Sequence, residues 1–469
     1  MLKWLLLPIL LLTLWACESS DTSQPTEELP PNVIFILADD LGYGDLSCYG
    51  QTKFETPNLD RLAANGLRFT DHYAGTTVCS PSRAVLLTGQ HMGHVKVRGN
   101  RPGETSLDTA MTILPELFKQ AGYATGAFGK WGVGQPYEAG AANPLNQGFD
   151  TFFGWKSQTI AHSYYPPTMV EDGGEFKVDS GTYVHDLVMG KAFNFVRKYG
   201  QKGEPFFCYL PVTIPHASMH APPALHQQWR EKLPQFDTIV ATYGHGGPAV
   251  RNPIAAFPAM VQHLDAQIGD LIALLDSLGQ LDNTLVLFAS DNGAHREGGH
   301  DPDFWNSTGG LRGIKRDLYE GGIRSPLIAY WPAKISGGDT SQHISAFYDF
   351  VPTFADLLGQ PVPEQSDGLS MLPILTGKEQ PSHDFLYWEF HAGITRPGQQ
   401  AVRMGKWKGV RRDILNGNLA IELYDLSQDP TETEDIAAEH TEIVARMEEI
   451  MAQEHETPSY EPWQMPAIE

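Results

Sequence analysis

Four apolar runs of strand length in this chain are each followed by polar residues of types that bind ligands or transfer protons. A continuous apolar run of this length indicates a strand covered on both faces. In open parallel α/β sheets, ligands bind just past the carboxyl ends of the strands. We therefore expect the four polar ends to meet in one cleft. The runs and their ends are 32–38 with Asp39 and Asp40, 124–128 with Lys130, 205–210 with His216, and 283–290 with Asp291 and Asn292.

Helical patterns separate these runs, which predicts an α/β fold with a large mixed, mostly parallel sheet between helices. Apolar residues in 260–278 recur every three or four positions and form one stripe of a helix. After residue 349, short β patterns at 385–390, 400–404 and 407–411 precede a closing helix near 436–451. We expect a larger domain over residues 32–360 and a smaller α+β domain over 361–469, which carries a short antiparallel sheet.

The amino-terminal residues predict export. A basic start and the apolar run 5–14 are typical of a secretory signal over residues 1–17, and 18–31 reads as a flexible tether. The signal ends in Leu14-Trp15-Ala16-Cys17, which resembles a bacterial lipobox and predicts lipidation of Cys17; an ordinary cleaved signal is the alternative. We expect a bacterial periplasmic or cell-surface protein that touches the membrane only through its lipid. A net charge of −23 argues against nucleic acid as a partner.

One short stretch, Cys79-Ser80-Pro81-Ser82-Arg83, predicts a reactive helix start. Pro81 suits the first turn of a helix and Gly89 suits its end. Cys79 would then lie where unpaired backbone amides favour an anion. An inert, buried cysteine beside a helix cap is the alternative.

This stretch resembles the signature of the formylglycine-dependent sulfatases, a family of the alkaline-phosphatase-like superfamily. The resemblance extends from residue 32 to about residue 430 and implies an alkaline-phosphatase-like fold. It also implies that a separate maturation enzyme oxidises Cys79 to an aldehyde, formylglycine, whose hydrate is the nucleophile. One Ca²⁺ is implied, and its oxygen-rich ligand set suits a hard cation. The implied ligands are Asp39, Asp40, Cys79, Asp291 and Asn292.

The same resemblance assigns roles to several cationic and imidazole side chains. Arg83 would hold the hydrate, and Lys130 and Lys315 would bind the sulfate. His216 would contact the ester and protonate the leaving alcohol. Many relatives have a histidine in place of Gly132, and that histidine takes the proton from the hydrate.

A different base is then needed, and we predict His162 for it, with His94 and His295 as weaker candidates. The loops that carry Asn100, His162, Trp388 and His391 resemble those of sulfatases acting on sulfated sugars, although these residues equally suit packing between the domains. We expect Asn100 and His162 to bind substrate together with Lys130, His216 and Lys315.

The substrate implied by the resemblance is a sulfated carbohydrate, with galactose or N-acetylgalactosamine sulfate preferred. Two alternatives stay open. One is a phosphoester or phosphonate hydrolase of the same superfamily. The other is a non-catalytic glycan-binding lipoprotein, if Cys79 is not matured.

Overall fold

A mixed ten-stranded sheet forms the core of the larger part of the molecule. The computed structural model describes residues 29–101, 104–107, 110–138, 140–244, 247–391 and 397–469. The predicted signal peptide, with Cys17, and residues 18–28 of the predicted tether lie outside these described residues. The predicted fold class, a mostly parallel sheet between helices with a smaller antiparallel sheet, is confirmed.

The strands are β1 (Asn32–Asp39), β2 (Leu67–Phe69), β3 (His72–Tyr73), β4 (Ala124–Gly129), β5 (Thr151–Gly154), β6 (Thr168–Glu171), β7 (Gly174–Lys177), β8 (Phe206–Pro215), β9 (Val240–Ala241), β10 (Val250–Arg251), β11 (Thr284–Ser290), β12 (Leu327–Tyr330), β13 (Asp339–Ser341), β14 (Ser345–Ala346), β15 (Leu386–Phe390), β16 (Gln399–Met404), β17 (Trp407–Arg412) and β18 (Ile421–Asp425). The α-helices are α1 (Pro57–Ala64), α2 (Cys79–Thr88), α3 (Leu114–Gln120), α4 (Val184–Lys202), α5 (Pro223–Lys232), α6 (Pro253–Ser277), α7 (Pro302–Trp305), α8 (Glu320–Ile323), α9 (Phe350–Leu357), α10 (Leu372–Leu375) and α11 (Thr441–Gln453).

The large sheet places the predicted polar ends at one edge. Its strand order is β13-β2-β12-β11-β1-β8-β4-β5-β6-β7. The five central strands, β11, β1, β8, β4 and β5, run parallel, so their carboxyl ends point the same way. Antiparallel strands flank them on both sides. The four apolar runs are therefore the middle of one parallel sheet.

Helices cover both faces of this sheet, and β1 accordingly has apolar side chains on both of its sides. Phe35 belongs to the core that includes residues of α2, α3 and α9. Ile36 points to the opposite core, which includes residues of α1, α4 and α6. The burial of β1 along its whole length explains why its sequence is continuously apolar rather than alternating.

A second, four-stranded antiparallel sheet, β15-β16-β17-β18, lies in the carboxyl-terminal part. Helix α11 packs on it through Met447, Ile450 and Met451. The helix begins at Thr441, later than the sequence pattern suggests, because residues 437–439 form a 3₁₀ turn. The predicted domain boundary at residue 360 stays a prediction. Among the described residues, none of the helices has both the length and the apolar character that crossing a membrane requires.

Candidate active site

The ends of β1 and β11 bring four oxygen-bearing side chains together. The two strands pair in parallel with Ala38 opposite Ser290, so the residues that follow are neighbours in space. The backbone amide of Asp40 donates to Asp291 Oδ1 at 3.1 Å. Asp40 has a φ of 63°, a left-handed conformation that aspartate tolerates better than most residues. The chain thus turns sharply at this point and keeps both carboxylates beside β11.

Helix α2 begins at Cys79, as the stretch predicts, and points its thiol at these carboxylates. Cys79 Sγ lies 3.3 Å from Asp39 Oδ1 and 3.7 Å from Asp40 Oδ1. The side chain is fully buried. Burial and the charge of Asp39 hold the pKa of the Cys79 thiol well above its usual range. An unmodified Cys79 is therefore a protonated thiol, which is a poor nucleophile.

Arg83 and Lys130 neutralise two of the carboxylates. One helical turn after Cys79, Arg83 donates to Asp291 Oδ2 through Nε at 3.0 Å and through a terminal nitrogen at 2.8 Å. Lys130 Nζ donates to Asp39 Oδ2 at 2.6 Å. Burial opposes ionisation of Asp39, but the surrounding positive charges outweigh it and hold the pKa of Asp39 well below its usual value. By contrast, burial and the charge of Asp39 raise the pKa of Asp291 to about 7.

Lys315 and His216 form the other side of the site, with Glu297 between them and solvent. Lys315 Nζ donates to Asp40 Oδ2 at 2.7 Å and to Glu297 Oε2 at 2.9 Å, and lies 3.1 Å from His216 Nε2. Burial lowers the pKa of His216 to about 4, which leaves its imidazole neutral at neutral pH. We call the nine residues brought together here the central cluster. They are Asp39, Asp40, Cys79, Arg83, Lys130, His216, Asp291, Asn292 and Lys315.

Glu297 is the residue that sequence reasoning missed. Its Oε2 also lies 3.3 Å from His216 Nε2, and its Oε1 accepts from Arg316. Burial opposes ionisation, but Lys315, His216 and other cations outweigh it, so the pKa of Glu297 is far below its ordinary value. The carboxylate follows the β11 end by only a few residues, and this proximity was the signal available in the sequence. Glu297 is therefore an anion that contacts both Lys315 and His216.

The other predicted binding residues lie around the central cluster. The His162 ring stacks on the His216 ring with centroids 4.5 Å apart and planes inclined by 5°. Asn100 Oδ1 accepts from the backbone amide of Ser80 at 2.9 Å, so Asn100 caps the start of α2. His295 is also near, because its ring centroid lies 5.7 Å from that of His216.

Gly132 faces Arg83 rather than empty space. Its φ is +82°, and a Cβ built there would lie 2.6 Å from Arg83 Cδ. The aliphatic part of Arg83 therefore occupies the space beside Gly132. A histidine at this position is excluded in the present arrangement.

Two other predicted residues have structural roles. Trp388 is fully buried and donates from its indole nitrogen to the backbone oxygen of Ala74 at 3.1 Å. It packs between the two sheets and does not line the site, so of the two alternatives for Trp388 the structure favours packing between the domains. His94 Nδ1 pairs with Asp367 at 2.9 Å, outside the central cluster.

The donor set fits a hard divalent cation. Asn292 Nδ2 donates to Asp40 Oδ1 at 2.7 Å, whereas Asn292 Oδ1 is buried and has no hydrogen-bond partner in the described part of the chain. Ligand atoms of Asp39, Asp40, Cys79 and His216 lie within 4.8 Å of one another. Carboxylate and amide oxygens are the ligands that Ca²⁺ prefers. The unused oxygen of Asn292 gives the site an acceptor that no protein group satisfies.

Comparison with protein-family models gives two matches. The model described as Sulfatase matches residues 31–360, and the model described as N-sulphoglucosamine sulphohydrolase, C-terminal, matches residues 314–457. The chain is 30% identical over 502 residues to N-acetylgalactosamine-6-O-sulfatase of Bacteroides thetaiotaomicron, covering 90% of this chain and 92% of that protein. It is 34% identical over 463 residues to arylsulfatase A of Homo sapiens, covering 86% of this chain and 82% of that protein.

Solved structures share the fold over nearly the whole chain. The crystal structure of Ps i-CgsB matches with a TM-score of 0.78 and 28% identity, covering 92% of this chain and 94% of that one. The same protein was solved in complex with k-i-k-neocarrahexaose. A phosphonate monoester hydrolase of Agrobacterium radiobacter matches with a TM-score of 0.64 and 24% identity, covering 90% and 95% of the two chains, a likeness that shows the fold alone.

Proposed function

This chain belongs to the sulfatase family and is a sulfuric ester hydrolase, and we propose that it removes sulfate from a carbohydrate by means of an aldehyde formed at Cys79. The observation that carries the proposal is the placement of Cys79. Its sulfur lies at the start of α2, 3.3 Å from Asp39, inside a cluster with two lysines and an arginine. The three cations balance the three aspartates, so a bound divalent cation would give this cluster the positive charge that holds an anion against residue 79 although the whole chain is strongly acidic.

The raised pKa of the Cys79 thiol argues against the unmodified side chain as the nucleophile. A fully buried, protonated thiol would attack sulfur poorly, so the position is of little chemical use as cysteine. A separate maturation enzyme would oxidise the side chain to formylglycine. The hydrate of that aldehyde supplies a nucleophile whose second hydroxyl lets sulfate leave and the carbonyl return, so that no serine-type sulfate ester accumulates.

We propose that Asp39, Asp40, Asp291, Asn292 and residue 79 hold one Ca²⁺. The fit is supported by the carboxylates of Asp39 and Asp40, whose oxygens lie within 4.8 Å of each other and of Cys79 Sγ, and by the unsatisfied Asn292 Oδ1. When bound, the cation would supply positive charge that polarises the sulfate and favours ionisation of the nucleophile.

The remaining residues would bind the sulfate and move protons. Lys130 and Lys315 place their ammonium groups on either side of the Asp39–Asp40 pair, from where both can reach an anion at residue 79. Arg83, fixed by Asp291, would hold the hydrate. His216 would deliver a proton to the leaving sugar oxygen, because the approach of an anion raises the pKa of an imidazole.

His162 is the base we propose in place of the histidine that Gly132 excludes. Burial lowers the pKa of His162 far below its usual value, which keeps the ring neutral but makes it a weak base until the charge of a bound anion raises that pKa. The ring stacks on His216 and so lies at the same site. Asn100 would help bind substrate from its position at the start of α2.

The substrate we propose is a galactose or N-acetylgalactosamine sulfate within a glycan. Support comes from the relative named N-acetylgalactosamine-6-O-sulfatase and from the Ps i-CgsB complex with k-i-k-neocarrahexaose. We also propose that the protein is exported to the bacterial periplasm or cell surface and anchored by lipid at Cys17. The amino-terminal sequence alone supports this location.

Three measurements on one preparation test the function. Peptide mass spectrometry across Cys79 reports the aldehyde. Initial rates on paired sulfate and phosphate esters of the same sugar report the reaction, and we expect sulfate to be preferred by at least about 100-fold in kcat/KM. A chelator should abolish activity and added Ca²⁺ should restore it. A matured protein that prefers the phosphate ester would instead establish the phosphohydrolase alternative, and one that cleaves neither would overturn the proposal.

A further inference from the structure

A cavity of about 420 Å³ opens beside the start of α2. Its lining includes Val78, which directly precedes Cys79, and Asn100, which caps the helix. It also includes Arg316, the neighbour of Lys315 in the chain. The volume lies within the range of about 300–1,000 Å³ that is usual for small-molecule sites. The cavity therefore adjoins the central cluster and is large enough for a ligand of its own.

Its far wall is aromatic and comes from the last residues of the chain. Trp463 follows α11, and its ring centroid lies 5.1 Å from that of Tyr460 and 5.7 Å from that of His391. Trp463 is only 5% exposed, so its position is fixed by packing and only its rim reaches the cavity, whereas Tyr460 is partly exposed. A fixed aromatic wall of this kind can pack against the apolar side of a ligand.

One polar side chain beside the aromatic wall, that of His391, has a ring nitrogen that no described residue pairs with. The Nδ1 atom of His391 is buried and has no hydrogen-bond partner among the described residues. Burial lowers the pKa of His391 to about 4, so its ring is neutral near pH 7. An unused ring nitrogen next to a cavity can take a hydroxyl group after a small side-chain movement.

The two arginines of the cavity differ in their partners. Arg316 is paired with Glu297, which neutralises it locally. The exposed Arg101 has its guanidinium 5.1 Å from the ring centroid of Tyr460, and no carboxylate of the described chain pairs with it. A guanidinium held over an aromatic ring keeps its fork of donors free for a carboxylate or a sulfate. Arg101 is thus an exposed cation of the cavity lining that no carboxylate in the described part of this acidic chain neutralises.

We propose that this cavity is a second sugar subsite, which takes the unit next to the sulfated one and selects a unit that carries its own anionic group, through Arg101. The proposal rests on the carbohydrate substrate proposed above and names its class: an oligosaccharide with a second carboxylate or sulfate. The wall that Trp463 and Tyr460 form contacts that unit. Arg101 binds its anion.

Three disaccharides that share the same sulfated unit provide the test. Their second unit is neutral, carries a carboxylate, or carries a second sulfate. For the matured wild-type protein we expect kcat/KM to be about tenfold higher with one or both anionic units than with the neutral one. Which anion gives the increase identifies its chemistry. The preference should shrink as the salt concentration rises, because Arg101 is exposed.

Variants of Arg101 and Trp463 separate a role in binding the second sugar unit from a general effect on the enzyme. Arg101→Ala should reduce the preference for the anionic unit to about twofold or less, and Arg101→Lys should retain part of it. Arg197→Ala, an exposed arginine of α4, is the matched control and should keep the full preference. Trp463→Ala should raise KM for all three disaccharides relative to the sulfated monosaccharide. Thermal unfolding checks that each variant is folded.

Binding to the Cys79→Ala protein, measured by calorimetry, gives a readout independent of turnover. The anionic disaccharide should bind about tenfold more tightly than the neutral one, and Arg101→Ala in this background should remove the difference. Equal binding and equal kcat/KM for all three disaccharides would overturn the subsite while leaving the sulfatase proposal intact. Failure of the matured protein to cleave any sulfate ester, with selective binding preserved, would instead overturn the catalytic proposal alone.

Discussion

Two buried clusters of charged groups in the described part of the chain differ in character, and one of the two has the properties of an active site. The central cluster lies at the ends of β1 and β11. The second, here called the junction cluster, joins the large sheet to the carboxyl-terminal sheet. In it, Lys408 Nζ donates to Glu320 Oε1 at 2.9 Å, and the backbone amide of Glu320 donates to Glu432 Oε2 at 2.7 Å. Its members are Asp71, Tyr73, Glu320, Arg324, Arg403, Lys408 and Glu432.

The clusters differ in what they leave unsatisfied. Within the described chain, none of the buried side-chain nitrogens and oxygens of the junction cluster lacks a hydrogen-bond partner. In the central cluster, Asn292 Oδ1 lacks one, and the neighbouring Glu297 contacts Lys315 and His216. Buried opposite charges are thus common to a structural joint and a reactive site. The unused acceptor of Asn292 distinguishes the site.

Removing the sulfur should produce the largest effect. We expect Cys79→Ala to lower kcat on a sulfate ester by about 10⁴-fold or more, because the precursor of the nucleophile is lost. The unfolding free energy should change by no more than about 1 kcal/mol, since the thiol is small. Initial rates and thermal unfolding measure both quantities. Residual activity above a few per cent would contradict the role of Cys79.

The junction cluster should respond in the opposite way. Lys408→Met leaves the buried carboxylates of Glu320 and Glu432 with one cation fewer, and we expect about 3–5 kcal/mol of lost stability. The kcat of the folded fraction should not change. Lys406→Met is the matched control, because Lys406 is half exposed and its pair with Asp425 is worth about 0–1 kcal/mol. A large loss of kcat in Lys408→Met, with stability preserved, would show that the two clusters are not separate.

Protonation of Glu432 gives the junction cluster a pH dependence. Burial raises the pKa of Glu432 to about 7, above its ordinary value of 4.5. The folded state therefore binds this proton more tightly, and the stabilisation is complete below pH 4.5 and lost as the pH rises through 7. Glu432→Gln should remove roughly 2–3 kcal/mol of this decline between pH 5 and 8, as measured by denaturant unfolding. Glu434→Gln, at an exposed neighbouring position, should leave the decline of stability with pH unchanged. An identical slope of stability against pH in both variants would show that another group causes the decline.

The smallest expected effect concerns the anion in the central cluster. Because Glu297 contacts Lys315 and His216, it competes for the groups proposed to bind sulfate. Glu297→Gln removes one negative charge, and we expect the inhibition constant of inorganic sulfate to fall about three- to tenfold. Exposed Glu231→Gln on α5 is the control. An unchanged or higher constant in Glu297→Gln would mean that the charge of Glu297 organises the lysine rather than competing for it.

Most of the fold could be predicted because the apolar runs favour one structure, a strand buried on both faces. A run such as that of β1 suits only a strand buried on both faces, and the ends of parallel strands must meet at one edge. The central cluster follows from this rule and from the Cys79 stretch. Glu297 did not, because no local pattern shows that a carboxylate will fold back onto Lys315. The first residue of α11 also differs from the prediction, because a 3₁₀ turn and an α-helix have similar local sequences.

Side chains between the two sheets were the hardest to predict. An aromatic residue such as Trp388 suits a sugar pocket and an interface equally well, and only the packing of β15 against residue 74 decides between them. The junction cluster likewise joins Glu320 to Lys408 and Glu432, residues about 90 to 110 positions apart. Contacts over such separations leave no periodic signal in the chain.

The close approach of Arg83 to Gly132 has a consequence for how the site can change over time. A side chain at position 132 would have to displace the arginine that grips Asp291, and it would also adopt a backbone angle unfavourable to any residue with a Cβ. A histidine introduced there alone would therefore have to move Arg83 or the loop that carries position 132. Substitutions at the two positions should then not be additive in their effect on the site.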